Sequence, residues 1–157
     1  MQKFKDLAVQ DYYPDDVSYC YGCGRLNTEG HHLKSYDNGD ETVAYFTPKK
    51  YHTAIPGYVY GGLIASLIDC HGTGTAAIAS FKADNRAYDT EPPYRFVTAH
   101  LEVDYLKPTP LGVELKLTGK VIEQKGKKVV SLISVFADGV KTAEGKVVAV
   151  QMPDSMK

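Results

Sequence analysis

Residues 60–81 constrain this chain more than any other stretch. They hold no Lys or Arg and one acidic residue, Asp69. Leu63, Ile64, Leu67, Ile68, His71, Gly74, Ile78 and Phe81 recur at intervals of three and four, the spacing of one helix face. The spacing predicts a central helix roughly 30 Å long at 1.5 Å per residue, long for a chain of 157 residues. The opposite face carries Gly62, Ala65, Ser66, Asp69, Gly72, Thr73, Ala76 and Ser80. An exposed helix face normally carries Lys, Glu, Arg or Gln, which are soluble and good helix formers. Small residues instead admit a backbone or a ligand closely, so this face is expected to be covered, most simply by a second copy of the chain. Asp69 then lies on a covered face without a helical charge partner. A buried carboxylate is costly unless it is hydrogen-bonded or used, which makes Asp69 a functional candidate. An exposed Asp69, or one paired with a distant cation, is the plainer alternative.

Around this helix the chain reads as strands. Residues 1–30 are irregular, rich in Tyr, Asp, Gly and Cys. Residues 32–36 and 41–47 are short strand candidates, with Asp37-Asn38-Gly39 as a hairpin turn between them. Residues 82–93 form a polar loop. Val97, Ala99, Leu101, Val103 and Tyr105 then alternate with Thr98, His100, Glu102 and Asp104, a half-buried strand. Residues 113–124 and 127–137 pair about Lys125-Gly126, and Asp138-Gly139 turns into a last strand at 140–151. Residues 96–151 are thus four strands in a row. Two strands, one helix and four strands imply an α+β fold, an antiparallel sheet of about six strands with the helix packed on it. The whole chain, 1–157, is expected to be one domain.

Charge narrows the function classes. Eighteen basic residues against 19 acidic ones leave a formal net charge of -1, so no basic field exists for nucleic acid or an anionic membrane. An apolar fraction of 43% and a charged fraction of 24% exclude a disordered or collagen-like chain. The first residues lack a signal-like apolar core, and the apolar run near residues 63–68 is too short to span a bilayer. Three cysteines, an odd number, fit a reduced, cytoplasmic setting better than a disulfide scaffold.

The run Pro56-Gly57-Tyr58-Val59-Tyr60-Gly61-Gly62, continuing to Asp69, resembles the signature of hot-dog-fold acyl-CoA thioesterases. That signature is a His-Gly-Gly opening the central helix, with an acidic residue nine positions after the His. Cys20-Tyr21-Gly22-Cys23-Gly24, with Asn27 and Gly30, is similar to the N-terminal element of one branch of that superfamily. Thr98-Ala99, in the strand ending Tyr105-Leu106-Lys107-Pro108, matches the same branch. The resemblance implies a hot-dog fold, a homodimer or homotetramer, and acyl-CoA sites at the subunit interface. It implies Asp69 as catalytic general base or nucleophile, the Gly61 amide as the group polarising the thioester carbonyl, and Thr98 as a helper that positions water. Tyr60, Gly62, Ser66 and Thr73 are the expected substrate-binding positions. Amides in a helix's first turn lack internal partners and lie at its positive end, so they suit an oxyanion. Gly62 and Asp69 are about 10 Å apart along the axis, so one thioester is expected to meet the helix start of one subunit and Asp69 of the other. Two positions depart from the pattern: Tyr60 stands where the family has His, and Ala54 where some relatives have Asn.

Other motifs compete less well. Cys20, Cys23, His31 and His32 contain half a zinc knuckle, but adjacent histidines rarely ligate one ion, and a tight turn with two buried thiols is the expected reading, without a metal. Cys70 and His71 point about 100° apart on the helix and do not form a thiol–imidazole pair; His71, on the apolar stripe, reads as a core histidine. Ser66 lacks a Gly-x-Ser-x-Gly elbow. Gly72-Thr73-Gly74-Thr75 lies inside the helix and lacks the Gly-Lys of a phosphate loop. Lys120, Lys125, Lys127 and Lys128 read as a solvated hairpin tip, or as a contact for the phosphates of coenzyme A. The leading expectation is an acyl-CoA thioesterase needing no cofactor beyond the CoA of its substrate. The alternative is a non-catalytic acyl-CoA-binding hot-dog protein, motivated by Tyr60 and Ala54. A dehydratase or hydratase needs a catalytic His, and His71 is on the wrong helix face.

Overall fold

The computed structural model describes residues 7–157. Residues 1–6, the start of the segment expected to be irregular and to lack a signal-like core, lie outside the described residues. The elements follow in the expected order: β1 (Tyr36–Asp37), β2 (Thr42–Phe46), α1 (Gly61–Ala83), β3 (Phe96–Tyr105), β4 (Leu115–Lys125), β5 (Lys128–Ala137) and β6 (Val140–Gln151). The strands form one antiparallel sheet in the order β1-β2-β4-β5-β6-β3, and α1 packs against it. This is the arrangement the hot-dog resemblance implies. The β5–β6 hairpin turns on Asp138 (φ 48°) and Gly139 (φ 78°), the two positive-φ positions that match the twist of the flanking strands. Among the described residues, no helix is long and apolar enough to cross a membrane.

β1 is shorter than the strand expected at 32–36. The backbone there bonds to the N-terminal segment instead. The His31 and Leu33 amides donate to the carbonyls of Tyr21 and Gly22, and the Ser35 carbonyl accepts from the Val9 amide.

The helix is covered differently from the sequence expectation. Every residue from 70 to 78 is buried. On one side Gly72 meets the sheet, where a Cβ would lie 2.5 Å from the Val147 side chain. On another, Ala76 packs with Val9 and Tyr13 of the N-terminal segment, while Gly74, on the apolar stripe, meets Gln10 and Ser35. So this chain's own sheet and N-terminal segment cover the second half of the small-residue face, and no second copy is needed there. Only the first half stays partly open, at Gly61, Gly62, Ala65, Ser66 and Asp69.

β3 carries a feature that simple alternation misses. Its pairing with β6 shifts register between Thr98 and His100, a bulge that adds one residue, Ala99, to one strand. An extra residue reverses which face each side chain takes. Phe96 is buried and Leu101 and Val103 pack on the core, yet Thr98, of the opposite parity to Leu101, also faces the helix.

Candidate active site

Asp69 is half-buried on the open half of α1, and its carboxylate accepts a hydrogen bond from the Thr98 hydroxyl. Burial raises the proton affinity of Asp69 above the ordinary carboxylate range. The Thr98 hydrogen bond opposes the rise, the nearby Cys20 sulfur adds to it, and the Arg95 guanidinium opposes it. A carboxylate displaced this way is a stronger base than a free one.

The start of α1 makes the second part of the site. Leu63 and Ile64 are the first amides to bond back to the Tyr60 carbonyl, so the Gly61 and Gly62 amides precede the helix's internal bonding and sit at its positive end. The Tyr60 amide donates to the His52 carbonyl at 2.9 Å, which fixes the approach to the helix. Tyr105, at the end of β3, donates its hydroxyl to the Gly61 carbonyl at 2.7 Å. The Tyr60 ring folds back over Gly62, where a Cβ would lie 2.3 Å from its Cζ and hydroxyl oxygen. Tyr60 and Tyr105 both remain largely exposed and flank the helix start with aromatic surface.

The structure therefore groups Asp69 with Thr98, and Gly61 with Gly62 and Tyr60. Ser66 lies between the two groups, its hydroxyl donating to the Leu63 carbonyl at 2.7 Å. Thr73 is not brought to the site: it is buried, and its hydroxyl donates to the Cys70 carbonyl at 3.0 Å. The two groups stand eight residues apart on one helix, about 12 Å. Sequence reasoning missed Tyr105 and Arg95, since no spacing rule says that a strand-end tyrosine reaches back to a helix start.

The other candidates resolve by contact. His71 is fully buried between the Ser35 hydroxyl on Nδ1 (2.8 Å) and the Thr42 hydroxyl on Nε2 (3.1 Å). Burial holds its pKa down at about 4, so it is a neutral core histidine with both nitrogens engaged. His32 turns its ring to the Asn27 carbonyl, and His31 stacks among Tyr21, Phe46 and His52. The four-residue zinc set of the sequence is not assembled. Cys70 instead comes up against Cys20. At the basic hairpin tip, Lys128 pairs with Glu123 at 3.2 Å.

Comparison with known proteins agrees with this fold. The family model for the thioesterase superfamily matches residues 56–144, from the loop before α1 to the middle of β6. An acyl-coenzyme A thioesterase of Xenopus laevis, THEM4, is 34% identical over 87 residues, which are 55% of this chain and 33% of that protein. The chain thus matches about a third of that relative's length. A crystal structure of a thioesterase superfamily protein from Shewanella loihica superposes with a TM-score of 0.68 at 49% identity, over 90% of this chain and all of that one. A Streptococcus mutans protein solved with acetyl CoA bound shares the fold at a TM-score of 0.61 and 16% identity, over 76% of this chain and 88% of that one. With more than half of its length matched by the family model, the chain belongs to the thioesterase superfamily.

Proposed function

We propose that this protein hydrolyses acyl-CoA thioesters, with Asp69 as the reacting carboxylate. The observation that carries the reading is the Asp69–Thr98 pair: a partly desolvated carboxylate, held by a hydroxyl, on the open half of a helix whose start offers free amides. As general base, Asp69 takes a proton from water while the water oxygen attacks the thioester carbonyl carbon. The oxyanion forms at the Gly61 amide. When the carbon–sulfur bond breaks, CoA leaves as the thiolate, and free acid remains. As nucleophile, Asp69 itself attacks, CoA leaves, and water then cleaves the acyl–aspartyl anhydride. Oxygen label from isotopically labelled water appearing in the Asp69 carboxylate after one turnover excludes the first route. The CoA in the Streptococcus mutans structure and the activity named for the Xenopus relative support CoA as the thiol half.

The site in this reading is shared between two copies of the chain. β3 is an outer strand of the sheet, with Thr98, Ala99, His100 and Glu102 exposed. Pairing two such edges about a two-fold axis continues the sheet and covers an otherwise open edge. It also sets the helix start of one copy toward Asp69 of the other, which removes the 12 Å gap. Tyr60, Gly62 and Ser66 then line the acyl path. The free thiols of Cys20, Cys23 and Cys70 support a reducing, cytoplasmic setting.

The test is thiol release from short, medium, long and aromatic acyl-CoAs. Turnover of at least one class is expected. Tight acyl-CoA binding with no thiol released from any of them makes the chain a binding protein instead, with Tyr60 marking the change of role.

A further inference from the structure

The two sulfurs of the Cys20–Cys23 turn meet the distant Cys70 between the N-terminal segment and α1. The Sγ atoms of Cys20, Cys23 and Cys70 all lie within 4.8 Å of one another, and those of Cys20 and Cys70 are 3.7 Å apart. A tetrahedral zinc thiolate with bonds of about 2.3 Å sets its sulfurs about 3.8 Å apart. We propose that Cys20, Cys23 and Cys70 bind one thiophilic d10 cation, zinc above all, through three thiolates, with water in the fourth position.

The backbone around the sulfurs is built for close approach. The Gly24 amide closes the turn onto the Cys20 carbonyl at 2.7 Å. A Cβ on Gly22 would lie 2.2 Å from the Cys70 sulfur, and one on Gly24 would lie 2.4 Å from the Cys20 nitrogen. Only glycine at both positions lets the Cys20–Cys23 loop wrap the helix at Cys70. The short Cys20–Cys23 turn thereby sets two sulfurs within 4.8 Å of the Cys70 sulfur on the helix.

A buried tyrosine with an unpartnered hydroxyl adds to this. The Tyr13 side chain is buried, and its hydroxyl has no hydrogen-bond partner among the described residues. Its ring packs in the cluster of Val9, Ala76 and Phe81, and the three cysteines act on its hydroxyl electrostatically. Such a donor suits a metal-bound thiolate or water. Three thiolates around a divalent ion carry one net negative charge. The Arg95 guanidinium, 4.8 Å from the centre of the Tyr13 ring, also acts on Cys23 and offsets that charge. Cys20 is only partly buried and gives the ion a way in. Coordination balances as one hydrated zinc ion plus three thiols giving the three-thiolate complex and three protons.

The site fastens the N-terminal loop to α1 at the residue after Asp69, and it stands or falls independently of the hydrolysis reading. The test titrates reduced, metal-stripped protein with Co2+ as a spectroscopic probe and then with Zn2+. A sulfur-to-cobalt charge-transfer band saturating at one ion per chain is expected, and Zn2+ is expected to abolish it. Zinc is also expected to release about three protons per ion and to shield all three thiols from alkylation. Cys20→Ser and Cys70→Ser are each expected to weaken binding at least about a hundredfold; wild-type proton release and alkylation decide the matter if either variant fails to fold. Absence of the band with three titratable thiols present overturns the proposal. So do wild-type affinity in Cys70→Ser, thiols that alkylate freely with zinc bound, and a Cys20–Cys70 disulfide in protein isolated under reducing conditions.

Discussion

Thr98 reaches Asp69 because β3 carries one extra residue at Ala99. Strict alternation sets Thr98 on the outer face with His100, so its role came from family resemblance and not from periodicity. The half-buried placement of Asp69 was legible in the residues, as the one acidic side chain on a face of small residues. His71 was equally legible as a core residue, since it lies on the apolar stripe. Removing the Thr98 hydroxyl while keeping the side-chain shape isolates the contact. A hydrogen bond to a charged group contributes about 1.5–3 kcal/mol, so Thr98→Val is expected to lower kcat roughly tenfold or more and the melting midpoint by only a few degrees. Thr98→Ser is expected to recover most of the loss. Equal kcat in Thr98→Val and wild type would show that Thr98 does not act through Asp69.

At the scale of elements, the order of strands and helix was readable because turn residues and the two hydrophobic periods punctuate the chain clearly. What covers α1 was not. Small residues announce a close approach without naming the partner, and here the partner is β6 over Gly72 and the N-terminal segment over Ala76. β1 shrank for a related reason, because backbone bonds from a segment without periodicity claimed its donors and acceptors. The Gly72–Val147 contact is tight and fully buried, so Val147 has little room to yield. Gly72→Ala is therefore expected to destabilise the fold by about 1–3 kcal/mol through overpacking, despite the roughly 1 kcal/mol that Ala gains in a helix. Adding Val147→Ala is expected to recover part of that loss in a denaturant-unfolding cycle, since the two sites are in contact. Simple additivity of the two substitutions would place the strain elsewhere.

For the whole molecule, a shared site makes a prediction that no single-chain site makes. Gly61→Pro removes the amide at the first helical position, where proline is tolerated, and Tyr60 already has the extended backbone (φ -60°, ψ 130°) that a following proline requires. Gly61→Pro and Asp69→Asn homodimers are each expected to be inactive. Mixing them by reversible unfolding is expected to restore about a quarter of wild-type activity, from heterodimers with one intact site; no recovery in demonstrated heterodimers would assign both groups to one chain. Which edge a second copy would meet was not readable from the sequence, because an exposed strand edge looks alike whether or not another chain pairs with it. The central claim is that the carboxylate of Asp69 carries the hydrolysis, and the direct measurement is kcat/KM of Asp69→Asn beside wild type on the best acyl-CoA, with melting midpoints taken in parallel. The account predicts a fall of at least about a hundredfold with the fold intact. Activity within about threefold of wild type in a folded Asp69→Asn protein would contradict it.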